Sequence, residues 1–186
     1  MTWLYVLIML VLLCGSAFFS ASEMALSSAN RMRLASAAEE GNRAAGIACK
    51  VIDKYENALS AILIGNNLCN IGSDSIVTML GMALLGERYN GLVSVLITLF
   101  MTAVIIVFCE SAPKIAAKNN ANRFSMAVAP FVRFLMIVLS PVILLVTLLI
   151  RLLTLPFKGE SRGEHPEEEA AAELQSIIET VEDEGV

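Results

Sequence analysis

The sequence predicts an all-α integral membrane protein: three transmembrane helices, two short cytoplasmic helices and a broken juxtamembrane helix. Three observations lead there. The 186 residues are 56% hydrophobic with a mean hydropathy of +0.70, outside the habit of soluble domains. Four apolar segments, 3–26, 58–85, 91–109 and 126–156, approach or exceed the ~20 residues that a ~30 Å hydrocarbon core requires. Basic residues gather in alternate connections, the asymmetry that orients a chain across a bilayer.

The opening stretch, MTWLYVLIMLVLLCGSAFFS, has no positive n-region and is too long for a usual signal-peptide core. Leu13 before Cys14 is too bulky for a good lipoprotein cleavage site, so a retained first span, about 3–27, is expected. The next connection, 28–57, carries Arg31, Arg33, Arg43, Lys50 and Lys54 and belongs in the cytoplasm, which puts the N-terminus outside. Its Ala-rich halves flank Gly41-Asn42 and read as two short helices joined by a turn. The second span, 58–85, leads through GERYN, a tight turn holding Arg88, to a third span at 91–112. Lys114, Lys118 and Arg123 then bring the chain back to the cytoplasm.

The fourth segment, 126–156, is interrupted by Pro130, Arg133, Pro141 and Arg151. A charge near the bilayer centre costs ~3 kcal/mol or more, and proline removes helix bonds that lipid cannot replace. It is expected to lie along the inner interface or double back, which keeps Arg151, Lys158 and Arg162 cytoplasmic.

The net charge of −5 divides unevenly. Residues 160–186 hold ten of the eighteen acids and one Lys/Arg, whereas 1–159 hold twelve Lys/Arg against eight acids. Residues 1–157 therefore form the membrane domain and 158–186 an acidic cytoplasmic linker. After Pro166 the linker has the acid-rich first turn of a helix, with Leu174, Ile177, Ile178 and Val181 as an apolar stripe that needs a partner. The single histidine, His165, lies there, far from any hydroxyl of the spans, so His-assisted nucleophilic catalysis is not expected. Four cysteines without CxxC spacing read as small hydrophobes. The sequence points to no enzyme and no nucleic-acid partner.

Each span carries oxygen-bearing side chains. Ser16, Ser20 and Glu23 fall at i, i+4 and i+7 on one face of the first, with Ser22 to one side. In the second, Asn66 and Asn67 lie one turn before Asn70, with Asp74 a turn further on. Glu110 closes the third, and Pro113 frees a backbone carbonyl near residue 109. Carboxylate, carbonyl, hydroxyl and amide oxygens form a hard ligand set suited to Mg²⁺ or Na⁺, not zinc or copper. The plainer reading has Ser and Asn stitching helices together at ~0.6 kcal/mol per bond. In that reading Glu23 and Asp74 sit at interfaces and Lys114 neutralises Glu110 four residues back.

FFSASEMAL, IGNNLCNI and FCESAPK, in this order and spacing, resemble the transmembrane domain of the CorC/CNNM (cyclin M) magnesium transporters, long catalogued as domain of unknown function 21. The resemblance covers residues 1–184. It implies a homodimer in a plasma membrane, here a prokaryotic inner membrane. Each protomer would have three spans, a helix pair after the first and a belt-like juxtamembrane helix. The acidic helix would lead to CBS domains that bind ATP-Mg²⁺ and lie beyond this sequence. By position, the resemblance implies an ion site of Ser20, Asn67, Asn70 and Glu110, with Ser16 and the backbone carbonyl of Cys109 as further ligands. Family members usually keep an Asn at positions 67 and 70, while that at 66 more often varies. Ser22, Glu23, Pro113 and Lys114 are supporting residues. Gly commonly precedes the family's Glu and a bulky apolar residue often follows it; here Cys109 and Ser111 stand there. The implied function is Mg²⁺ efflux exchanged against Na⁺. The alternative is a membrane anchor or sensor for cytosolic regulatory domains.

Overall fold

The computed structural model describes residues 2–86 and 90–154. The centre of the GERYN turn, Lys158, the acidic linker helix and its apolar stripe lie outside the described residues. Among those residues every regular element is helical. The order is α1 (Thr2–Ser28), α2 (Arg31–Glu39), α3 (Arg43–Ile52), α4 (Tyr55–Leu85), α5 (Gly91–Val104), a π-helical segment (Ile105–Ser111), α6 (Ala112–Asn119), α7 (Ala121–Val138) and α8 (Ser140–Thr154). By length and composition four helical stretches could cross a membrane: α1, α4, the continuous Gly91–Asn119 rod and α7. The chain is a multi-pass membrane protein. It divides into two units, Met1–Leu144 and Leu145–Val186, and the site lies wholly in the first.

Three asparagines start helices. Asn30 accepts from the Arg33 N–H, Asn42 from those of Ala44 and Ala45, and Asn90 from that of Val93. Gly41 takes φ +97° between α2 and α3, a backbone state that side chains resist. Arg31 and Asp53 close this hairpin with a 2.7 Å ion pair from the start of α2 to the end of α3.

α1 is the central helix, packed on α4, α6, α7 and the π segment. One core joins Phe19 and Leu26 of α1, Leu34 of α2, Val51 of α3, Ile62 of α4 and Val128 and Val132 of α7. Ala21 and Ala25, on another side of α1, meet Ala117 of α6. The short helix pair is thus docked on the same helices that carry the polar groups. The Asn122 side chain adds a joint by accepting from the Asn30 N–H at 2.7 Å.

Two proline expectations change in detail. α7 runs unbroken through Pro130, which sits on its exposed side, and the break falls at Leu139. Pro141 occupies the first turn of α8, where its missing N–H has no helical partner to lose. The third rod also continues past Pro113 to Asn119. α7 buries one stripe, Ala121, Ser125, Val128, Ala129 and Val132, and exposes Phe131, Phe134, Ile137 and Arg133.

Candidate cation site

The α1–α4 seam is antiparallel and built on glycine. A Cβ at Gly65 would lie 2.5 Å from the Phe19 ring, one at Gly15 2.8 Å from Cys69 Sγ, and one at Gly72 3.1 Å from Leu12. These pairs fix the register. They set Leu12 against residue 72 and Phe19 against residue 65, so Ser16 and Ser20 both run along the seam. Close approach of this kind is what small residues give membrane helices that lack a hydrophobic driving force between them.

On this seam Ser16 Oγ donates to Asn66 Oδ1 at 3.0 Å. Ser20 is completely buried, at 0% exposure, and its Oγ has no hydrogen-bond partner. Asn70 Oδ1 is likewise buried and unpaired. Most buried polar atoms in proteins are satisfied, so two orphans on adjoining helices call for a reason. The other seam hydroxyls are committed to their own helices: Ser22 Oγ donates to the Phe18 carbonyl at 2.7 Å and Ser73 Oγ to that of Cys69 at 2.8 Å. By the register, Ser20 lies against the 62–64 turn and Asn70 against the 12–14 turn, with the Ser16–Asn66 bond between them.

The acidic part of the site is built across α1, the π segment and α6. The widened backbone shows directly: the Ala112 N–H reaches five residues back, to the Val107 carbonyl. Such π turns cluster at functional sites. Here the cause is local, since Pro113 has no N–H for the Cys109 carbonyl, and the change of register lets the rod absorb that gap. Glu110 lies within the widened stretch and Cys109 is buried in it. Lys114, one turn on, places Nζ 3.2 Å from Glu23 Oε2 and 3.3 Å from Glu110 Oε1. Its side chain is 24% exposed, against 27% for Glu23 and 43% for Glu110. One ammonium therefore bridges two carboxylates on different helices.

The residues named from the sequence fall into three groups. Ser16, Ser20 and Asn70 share the α1–α4 seam; Glu23, Glu110 and Lys114 form the ionic cluster, with Cys109 and Pro113 beside it; Asn67 is exposed on the outer face of α4. α1 is the wall common to the first two groups. Asn66 makes the seam contact with Ser16, whereas Asn67, a ligand in the family resemblance, faces outward in this chain. Spacing alone did not separate them, because Asn66, Asn70 and Ser73 share one face and Asn67, Asn70 and Asp74 another. Among the described residues no three His, Cys, Asp or Glu side chains gather. A cation here would rely on neutral oxygens beside one or two carboxylates, the habit of hard, hydrated ions.

Comparison with known proteins matches residues 7–186 to the cyclin M transmembrane N-terminal domain. The chain is 33% identical over 172 residues to a UPF0053 protein of Haemophilus influenzae, covering 92% of this chain and 40% of that one. It is 33% identical over 138 residues to the UPF0053 inner membrane protein YfjD of Escherichia coli, covering 74% and 31%. With the chloroplastic DUF21 domain-containing protein At1g55930 of Arabidopsis thaliana it shares 32% over 180 residues, 93% and 27%. The chain thus spans two fifths or less of the length of these curated relatives. On a family match that covers nearly all of its residues, the chain belongs to the cyclin M transmembrane N-terminal domain family.

Proposed function

We propose that this chain is the membrane domain of a Mg²⁺ transporter that moves the ion out of the cytoplasm. The observation that carries the reading is the buried, partnerless Ser20 hydroxyl, on the helix that also supplies Glu23 to the carboxylate pair. A hard cation is a partner that such an oxygen could share with Glu110. Mg²⁺ parts with water reluctantly, so neutral oxygens alone would not offset its dehydration and a carboxylate is required. Exchange against Na⁺ is what the family resemblance implies. The same resemblance supports an N-terminus outside and α7 with α8 as a juxtamembrane belt, and Arg133 on the exposed face of α7 fits an interfacial position.

A homodimer in the inner membrane belongs to this proposal. Asn67, Ile71, Asp74 and Thr78 line one exposed face of α4. A carboxylate and an amide facing lipid cost several kcal/mol together, and a second protomer would cover them. Nucleotide-binding CBS domains would follow in the full-length protein.

A second reading has its own support. Lys114 bridges both carboxylates, as expected of an anchor whose polar groups only hold helices together. One experiment separates the two. In proteoliposomes, Glu110→Gln should abolish Mg²⁺ flux, and in detergent Mg²⁺ should raise the melting temperature of the unaltered protein, because a ligand bound only by the folded state stabilises it. Normal flux in the Gln variant would sink the transporter reading. So would an unaltered protein whose melting ignores Mg²⁺.

A further inference from the structure

We infer that the Lys114 ammonium is a tethered counter-ion that shares Glu23 and Glu110 with the transported cation, and so sets how tightly the cation is held and how readily it leaves. The inference rests on the transport reading. It starts from the bridge itself, with Nζ 3.2 Å from a carboxylate on α1 and 3.3 Å from one in the π segment. Two carboxylates and one ammonium leave a net single negative charge. Adding a divalent ion while the ammonium stays would leave a net positive one, which a partly desolvated pocket disfavours. A cation that binds either carboxylate therefore competes with the ammonium for it, and is held more weakly while the ammonium stays close.

The side chain suits that role. Lysine is a compact charge on a flexible stem, with three donors and no fixed fork, so it can leave one carboxylate while keeping the other. It stands four residues after Glu110 on the rod that the π segment has already loosened. Glu23 sits on the neighbouring helix, so the bridge also ties α1 to the third rod. The alternative is a fixed staple, with Lys114 holding helices together whether or not an ion is present.

The test uses K114M, which keeps most of the stem and loses the charge, with K114Q as a second variant and K114R as the conservative one. The quantity read is the Mg²⁺ concentration at half-maximal thermal stabilisation in detergent, together with Mg²⁺ flux in proteoliposomes. Removing one competing charge should lower the midpoint about tenfold, the scale on which a neighbouring charge shifts an ionic equilibrium. Flux should fall as release slows, and K114R should keep both values near those of the unaltered protein. A staple would lower the ion-free melting temperature and leave the midpoint unchanged or raised; that result in either neutral variant overturns the inference. If neither neutral variant folds, Lys114 is a structural residue and the inference also fails. An unaltered protein that Mg²⁺ does not stabilise overturns the transport reading itself, whereas a normal Mg²⁺ response with an unmoved K114M midpoint overturns this inference alone.

Discussion

Gly65→Val tests the seam on which the neutral part of the site depends. A Cβ at this position would stand 2.5, 2.7 and 2.8 Å from three atoms of the Phe19 ring. Ordinary carbon contacts begin near ~3.5 Å, so the shortfall is about 1 Å. The ring has little room to retreat. It is 8% exposed, with Phe18 at 5.7 Å and Phe131 at 6.4 Å between centroids. Overpacking of this kind costs about 1–3 kcal/mol, and the two methyl groups of valine put the variant at the upper end. The helix-propensity gain over glycine returns only a few tenths. At roughly 2–4 °C per kcal/mol for a chain of this size, melting should fall by about 5–10 °C. Far-ultraviolet circular dichroism suits the measurement, because every regular element among the described residues is helical. Gly46→Ala is the control of opposite sign: its Cβ would meet only Ala38 at 3.8 Å, so α3 should gain about 0.5–1 kcal/mol. Phe19→Ala should relieve Gly65→Val by at least ~1 kcal/mol relative to the sum of the single changes. Strict additivity, or a Gly65→Val protein as stable as the parent, would refute the Phe19–Gly65 contact and the register built on it.

Ser20→Ala removes a hydroxyl that has no partner, so the ion-free protein should melt within ~0.5 kcal/mol of the parent while its Mg²⁺ stabilisation disappears. Ser16→Ala, by contrast, breaks the bond to Asn66 and should lose about 0.6 kcal/mol even without ion, measured in the same melts. Asn42→Ala leaves the Ala44 and Ala45 N–H groups of α3 without their acceptor and should cost about 1 kcal/mol by thermal or denaturant unfolding. The hydrogen bond from Arg31 holds the Asp53 carboxyl below its ordinary value. A lowered folded-state value means that the pair's stabilisation is present above the unfolded pKa and vanishes as pH falls through the folded one. Melting profiles of Asp53→Asn should therefore lose part of the parent's decline below about pH 4, by a small amount because the pair is exposed.

How far the site could be read depended on whether its signal was local. Ser16, Ser20 and Glu23 announce a shared face through spacing alone, and α1 does carry them into the seam and the ionic cluster. Lys114 four residues after Glu110 was open to a pairing along one helix, but nothing in sequence separation hinted that Glu23, more than ninety residues earlier, completes the bridge. The choice between Asn66 and Asn67 turned on the rotation of α4 about its own axis, which is set by how Phe19 seats on Gly65. The π segment leaves no periodic signature in residues that are apolar on every side, and Pro113 was its one trace.

The sequence by itself determined the class of molecule and the approximate position of its helices, because both follow from additive, local quantities: apolar length, loop charge and a glycine turn. It also determined which oxygens were available for a hard cation. Only the tertiary structure decided which of them remain unpaired. Whether Ser20 keeps an unpaired hydroxyl and Ser22 a bonded one depends on what each can reach, and Lys114 came to bridge two carboxylates only when α1 was laid against the widened turn. Hydrogen bonds and ion pairs act over about 3 Å, so packing, not composition, has the last word on them.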